Sequence, residues 1–221
     1  PTSVAALLRL VEDGHEICGV FTQPDRPKNR GHKLMFSPVK QYAVEQGLTV
    51  YQPLKMKDGT ALATVRELNP ELIVVAAYGR ILPEDILNTP KYGSINVHSS
   101  LLPKYRGAAP IQRAVLNGDS VSGVTTMRLD KGMDTGDTYF SESVEIGENM
   151  TTGELFDALA EIGGNLLVQT VDALENGSAK PLPQDHANAT HADKILPEEC
   201  ELDFSLPARA VHNRIRGLSP F

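Results

Sequence analysis

Apolar positions along this chain recur with two spacings, and the spacing switches repeatedly from one segment to the next. From Ser3 to Asp13, Val4, Leu7, Leu8 and Val11 fall on one helical face, with Thr2 or Ser3 as N-cap. Glu16 to Phe21 reads as a strand. Ser37 to Gln46 reads as a helix capped by Ser37, with Pro38 at the first helical position, where its missing N–H costs nothing. A short strand at Thr49 to Tyr51, a helix from Gly59 to Leu68, a strand over the apolar run Leu72 to Ala77 and a short helix from Pro83 to Leu87 follow. Then come a strand at Ser94 to Val97, a helix at Ala109 to Leu116, strands at Gly123 to Arg128 and Thr138 to Val144, and one long helix from Thr152 to Leu174. Strands separated by helices predict parallel pairing through right-handed crossovers. The expected fold is therefore α/β, a doubly wound, Rossmann-like, mostly parallel sheet.

Composition adds bounds. With 221 residues and 41% hydrophobic content the chain can bury a sizeable core, most of it in one domain. Cys18 and Cys200 lie far apart and outside any CxxC spacing, so neither a disulfide framework nor a zinc site is indicated, which fits a reducing, cytoplasmic setting. No apolar run reaches the length of a membrane span, and no charged leader precedes an apolar core.

The chemistry concentrates in SINVHSSLLPKYRGAAPIQ, Ser94 to Gln112, and in DKGMDTGD, Asp130 to Asp137. Side chains alternate across a strand, so Asn96 and His98 share one face while Ile95 and Val97 take the other. Pro103 and Gly107 prevent the strand from continuing, which puts the pair at its C-terminal end. Ligands of open α/β sheets bind in the crevice at that end. A lone histidine is ordinarily structural; an amide two residues before it and an acidic loop downstream make it a candidate acyl-transfer group. No GxGxxG follows a strand and no GxxxxGK[ST] occurs, so a nucleotide phosphate cradle is missing. Asp130, Asp134 and Asp137 miss the alternation of a calcium loop, and His15, His98, His186 and His191 show no metal-ligand spacing, so a metal-free mechanism is expected.

Asn96, His98, the SLLP of Ser100 to Pro103, RGAAPIQ (Arg106 to Gln112) and the DTGD of Asp134 to Asp137 resemble the formyltransferase family that uses 10-formyltetrahydrofolate. FTQPDRPKNRGHKL, Phe21 to Leu34, and the closing IRGLSPF, Ile215 to Phe221, are similar to the branch of that family acting on tRNA. The resemblance runs along nearly the whole chain. It implies transfer of a formyl group to the α-amino group of methionyl initiator tRNA, with Asn96, His98 and Asp134 as catalytic residues. It implies folate contacts from Ser100, Leu101, Leu102 and Pro103, and tRNA contacts from the basic residues Arg26, Lys28, Arg30 and Lys33. In this reading Asn96 meets the developing oxyanion, His98 adds a donor or takes the ammonium proton, and Asp134 orients the ring. Tyr105 and Arg106 read as loop anchors or substrate contacts, and Asp137 as a turn cap.

The resemblance also implies an upstream strand and Gly/Pro turn, so the sequence is expected to be a fragment at both ends. The expected division is a catalytic domain at 1–176, an interdomain linker at 177–199, where Gly177, Pro181, Pro183, Asn188 and Pro197 make the composition loop-like, and the start of a C-terminal β-barrel domain at 200–221. A formal net charge of −7 has the wrong sign for a tRNA binder, and the local concentration of charge at Arg26, Lys28, Arg30, His32 and Lys33 offsets it only in part. Two alternatives share the residues. One is a formyltransferase acting on an amino sugar nucleotide or purine precursor; the other is a non-catalytic folate- or nucleotide-binding module.

Overall fold

The computed structural model describes residues 2–28 and 33–220, without the side chains of 26–28 and 33–34. Helix α1 (Thr2–Glu12) leads into β1 (Val20–Phe21), a short hairpin of β2 (Arg26–Lys28) and β3 (Lys33–Met35), then α2 (Pro38–Glu45) and β4 (Val50–Tyr51). Ser37 caps α2 as expected, its side chain accepting from the Lys40 N–H, with proline in the first turn. Helix α3 (Thr60–Leu68), β5 (Ile73–Val75), α4 (Glu84–Leu87), β6 (Ser94–His98), β7 (Arg106–Gly107) and α5 (Pro110–Leu116) follow. The chain continues through β8 (Val121–Arg128), β9 (Thr138–Glu145), α6 (Thr152–Glu175), β10 (His191–Ala192) and α7 (Ala208–Leu218).

The architecture is α/β, but the sheet departs from the mostly parallel expectation. The largest sheet has the order β5-β6-β8-β9; β5 and β6 are parallel, while β6–β8 and β8–β9 are antiparallel. Strand direction is set by the connection. The segment Asp130–Asp137 is too short for a helical crossover and returns β9 alongside β8 as a hairpin. Parallel pairing also joins β1 to β4 in a separate two-stranded sheet. Among the described residues β1 and β5 do not pair with each other; their residues line an apolar cleft of about 350 Å³, with Leu7 and Leu10 of α1 and Val65 of α3. The strand expected over Glu16–Phe21 is confined to two residues, consistent with pairing on β4 alone.

One face of β6 and β8 is the main core. Ile95, Val97 and Val124 pack with Leu155, Leu159, Leu166 and Leu167 of α6, Ala6 and Leu10 of α1, and Ile111, Ala114 and Val115 of α5. Leu155, Leu159 and Leu167 are fully buried, and each such side chain stabilises the fold by roughly 1.5–3 kcal/mol. Helix α6 starts with a capping box, Thr151 and Glu154 each accepting from the other's backbone N–H. Its interior carries Gly163 and Gly164, a choice costing about 1 kcal/mol each relative to alanine. Close approach explains both. A Cβ on Gly163 would lie 3.0 Å from Val97, and one on Gly164 would lie 2.8 Å from the Arg9 side chain and 3.3 Å from the Ala5 carbonyl. The bare backbone seats α6 on the sheet and α1 on α6.

Helix α7, in the stretch expected to begin a further domain, docks on α5 and the start of α6. Buried Arg216 donates to the carbonyls of Gly147 and Met150, and Thr152 Oγ1 donates to the Gly217 carbonyl at 2.7 Å. The stretch 177–199 likewise lies along the domain. Arg113 of α5 donates to the Asp193 and Lys194 carbonyls and forms a two-bond fork to Glu199, at 2.6 and 3.0 Å. No helix among the described residues is long and apolar enough to cross a membrane, and both cysteines are free and exposed.

Two outcomes follow from this packing. Gly164→Val is expected to lower stability by about 2 kcal/mol through overpacking against α1, read as a lower urea midpoint at unchanged m-value. The Arg113 fork, then the Leu196 N–H, hold the Glu199 carboxyl down at about 2 from an ordinary 4.5. A carboxyl depressed in the folded state contributes stability above its unfolded value and loses it as pH falls through the folded one. The difference in urea midpoint between the parent and Glu199→Gln is therefore expected to be full above pH 4.5 and to shrink as pH falls toward about 2.

Candidate active site

Alternation along β6 sends Ile95 and Val97 into the core and leaves Asn96 and His98 on the opposite face. Asn96 stands opposite Val75 on one side and Met127 on the other. It is half-buried, and its side-chain amide makes no hydrogen bond among the described residues. His98, 6% exposed, is fixed by the loop that follows it: Nε2 lies 2.8 Å from the Tyr105 carbonyl oxygen. A carbonyl only accepts, so the Nε2–H donates and the neutral ring keeps its lone pair on Nδ1. That atom faces Asp134, with Oδ2 at 3.7 Å. The separation exceeds a hydrogen bond. The two ring nitrogens thus meet different neighbours, the Tyr105 carbonyl at Nε2 and Asp134 at Nδ1.

The loops that bring these groups together hold unusual backbone. Tyr105 (φ +58°) and Asp134 (φ +54°) are both left-handed without being glycine, and sites of this kind collect such residues. Tyr105 is tied at three points. Its N–H donates to Thr190 Oγ1, its hydroxyl donates to Asp119 Oδ2 at 2.7 Å, and that hydroxyl accepts from Asn117. Burial pushes the phenol pKa up, the Asn117 bond opposes this and Asp119 reinforces it, so the hydroxyl remains a donor. The Asp134 carboxylate accepts from the Gly107 N–H at 2.8 Å. Gly107 has φ +119°, and a Cβ there would lie 2.9 Å from the carbonyl of Ala192 in β10, the strand paired with β7. Gly136 is required for a like reason, since a Cβ would lie 1.9 Å from the Arg128 carbonyl.

The Ser100–Pro103 loop hangs from one side chain. Thr125 Oγ1 donates to the Ser100 carbonyl and accepts from the Leu102 N–H, while Ser100 Oγ donates to the Lys104 carbonyl at 2.6 Å. The Ser100 N–H donates to the His98 carbonyl, and the Leu102–Pro103 peptide is cis. Two of the loop's backbone donors are thus already engaged internally. Turn capping in the acidic loop falls to Asp130, which accepts from the Gly132 N–H and the Thr135 hydroxyl, and not to Asp137.

Of the basic residues, Arg30 lies outside the described residues, as do the side chains of Arg26, Lys28 and Lys33. The backbone of the other three forms the β2–β3 hairpin, Arg26 opposite Met35 and Lys28 opposite Lys33. Its root is fastened by Lys40, which reaches Asp25 and Gln52, and by Gln52 donating to the Gln23 carbonyl. A cavity of about 470 Å³ opens there, lined by Gln23, Asp25, Met35, Ser37, Tyr78 and Arg80. The one grouping of possible metal ligands among the described residues, Asp13, His15 and Asp172, shares no residue with this site.

The profile described as Formyl transferase matches residues 3–171. The methionyl-tRNA formyltransferases of Moorella thermoacetica and Acetivibrio thermocellus are 50% and 46% identical over 219 residues, 99% of this chain and 70% of each relative. The chain belongs to the methionyl-tRNA formyltransferase family. Solved structures of lower identity share the fold. A sugar 3N-formyl transferase crystallised with dTDP and 5-N-formyl-THF superposes with TM-score 0.73 at 21% identity, covering 98% of this chain and 75% of that one. HypX from Aquifex aeolicus, in complex with tetrahydrofolic acid, gives 0.69 at 16% identity over 91% of this chain and 34% of that one. The formyltransferase match includes Asn96, His98 and Asp134, whereas Thr190, Gln184 and β10, which brace the site, lie beyond it.

Sequence reasoning paired Asn96 with His98 and drew Asp134 to them. It did not find Thr125, Gln184 or Thr190, whose bonds are mostly to backbone groups that carry no pattern. The ring assignment is directly testable. Nitrogen-15 shifts of His98, recorded well above the ordinary histidine range of about 6.5, are expected to show the Nε2–H tautomer; an Nδ1–H signature would contradict the Tyr105 contact.

Proposed function

We infer that this chain transfers the formyl group of 10-formyltetrahydrofolate to the α-amino group of methionyl initiator tRNA, in support of translation initiation. Identity of 46–50% with methionyl-tRNA formyltransferases, over 99% of the chain, carries the reading. The site's chemistry suits it. The amine attacks the formyl carbon, placing negative charge on the formyl oxygen and positive charge on the nitrogen. In our reading the unengaged Asn96 amide donates to that oxygen, and His98 takes the ammonium proton on Nδ1. The resulting imidazolium lies between the Tyr105 carbonyl, which accepts from Nε2–H, and the Asp134 carboxylate. Collapse breaks the bond from carbon to the folate N10, which must gain a proton as it leaves. The products are formylmethionyl-tRNA and tetrahydrofolate, and no metal is needed.

We assign folate contacts to Ser100, Leu101, Leu102 and Pro103. Two backbone donors of this loop are engaged internally, which leaves its apolar side chains and remaining backbone groups for that contact. Arg26, Lys28, Arg30 and Lys33 are assigned to the tRNA as a local concentration of positive charge. The apolar cleft between β1 and β5 has the chemistry that a further parallel strand fills, as the resemblance implies. A C-terminal barrel domain and a cytoplasmic location complete the reading.

Likeness to sugar formyltransferases keeps one rival in view, transfer to a small amine. Four assays in parallel separate the two: methionyl initiator tRNA, an amino sugar nucleotide and a purine-precursor amine as acceptors, and methionyl-tRNA again with active-site variants. Transfer to methionyl-tRNA alone is expected. His98→Ala should lower kcat by about 10²- to 10⁴-fold and Asn96→Ala by about 10²- to 10³-fold. Transfer to a small amine with none to tRNA would overturn the acceptor, and parental activity in His98→Ala would overturn the mechanism.

A further inference from the structure

Asp134 is held by its carboxylate and, separately, by its backbone. The carboxylate accepts from the Gly107 N–H. The backbone sits at φ +54°, a conformation that aspartate seldom holds unaided. Its restraint comes from Gln184, fifty residues downstream and inside the stretch whose composition reads as a linker. Gln184 Nε2 donates to the Asp134 carbonyl at 2.9 Å and to the Gly136 carbonyl at 2.7 Å. Its Oε1 accepts from Arg106 Nε at 3.1 Å and Arg106 Nη2 at 2.7 Å.

Three features distinguish this from incidental packing. Gln184 is 8% exposed and Arg106 is 5% exposed, so the bonds are made where water does not compete. Both donors and the acceptor of the amide are committed, which settles its orientation: the atom facing two carbonyls is nitrogen, and the atom facing the guanidinium is oxygen. Arg106 also directly precedes Gly107, so the residue that Gln184 grips carries the next N–H to the Asp134 carboxylate. Gln184, Arg106–Gly107 and Asp134 form a closed ring of bonds, and the Oδ2 within it lies 3.7 Å from His98 Nδ1.

We propose that Gln184, braced by Arg106, is a positioning residue for formyl transfer, setting the distance between the Asp134 carboxylate and His98 Nδ1. The role rests on the function inferred above. Gln184 makes no bond to His98 and acts through Asp134. Without its donors the buried Gly136 carbonyl and the Asp134 carbonyl lose their partners, and the loop must move to recover them. Displacement of a catalytic group by about 1 Å costs on the order of 10²-fold in rate.

The test compares Gln184→Glu and Gln184→Met in the full-length gene product. Glutamate keeps the shape and the acceptor for Arg106 but points an oxygen at two carbonyls; methionine removes every bond at similar length. Both are expected to lower kcat for methionyl-tRNA about 10- to 100-fold while KM for folate and for tRNA stays within about threefold. Hydrogen exchange of the Gly107 amide, whose proton lies on the Asp134 carboxylate, is expected to quicken at least tenfold in both variants. Parental kcat with parental Gly107 protection in either folded variant overturns the role. So does a rise of both KM values in step with the fall in kcat, which would mark general damage to the fold. Should the parent itself transfer nothing to methionyl-tRNA, the functional reading fails, and Gly107 exchange alone decides whether Gln184 holds Asp134.

Discussion

The register of β6 between β5 and β8 is the constraint on which the site depends. Val75, Asn96 and Met127 stand level across three strands, and His98 stands level with Thr125. Because side chains alternate strictly, a slip of one residue would turn Asn96 and His98 into the apolar core and expose Ile95 and Val97 to the site. The core therefore enforces the chemistry. Burial of Ile95 and Val97 against Leu155, Leu159 and Leu167 costs far more to undo than any single polar contact at the site contributes. Gly163 belongs to the same constraint, since its missing side chain lets α6 press on Val97.

What the register cannot supply is the orientation of the imidazole, and here the following loop takes over. A histidine at a strand's end can rotate. Its Nε2–H bond to Tyr105 removes that freedom and leaves the lone pair on the side where Asp134 stands. The Tyr105 carbonyl serves from a residue held at φ +58°, and its bonds to Thr190 and Asp119 and from Asn117 resist relaxation. Strain at Tyr105 and Asp134 is thus sustained by neighbours drawn from distant parts of the chain, among them the segment after α6.

Much of this was legible in advance, for reasons that differ by element. The boundaries of α2, α3, α5 and α6 were readable because caps, prolines and 3.6-residue periodicity mark them locally, as Ser37 and Thr151 illustrate. Asn96 and His98 were readable as a pair because alternation is a local rule. Strand direction was not, since β8 and β9 run antiparallel through a connection whose path depends on Gly136 lying against the Arg128 carbonyl. Nor was the role of residues 177–199. Glycine and proline make that stretch look like a connector, yet Arg113, Thr190 and Gln184 fasten it through main-chain carbonyls, hydroxyls and one amide. Such contacts leave no periodicity and no motif.

Charge poses a different problem, because the chain carries −7 overall and is assigned a polyanionic substrate. Long-range steering by the whole surface would oppose association. Within a Debye length of about 8 Å at physiological ionic strength, however, the nearest charges dominate, and the basic residues Arg26, Lys28, Arg30 and Lys33 fall within eight positions of the sequence. The hairpin's root is fixed by Lys40, Asp25 and Gln52, a bonded group in which the lysine holds the Asp25 carboxyl below its ordinary range. That pairing offsets the charge of Asp25, an acidic residue adjoining the basic stretch in sequence. The acidic remainder of the surface penalises every polyanion alike, so overall charge cannot itself distinguish one polyanion from another.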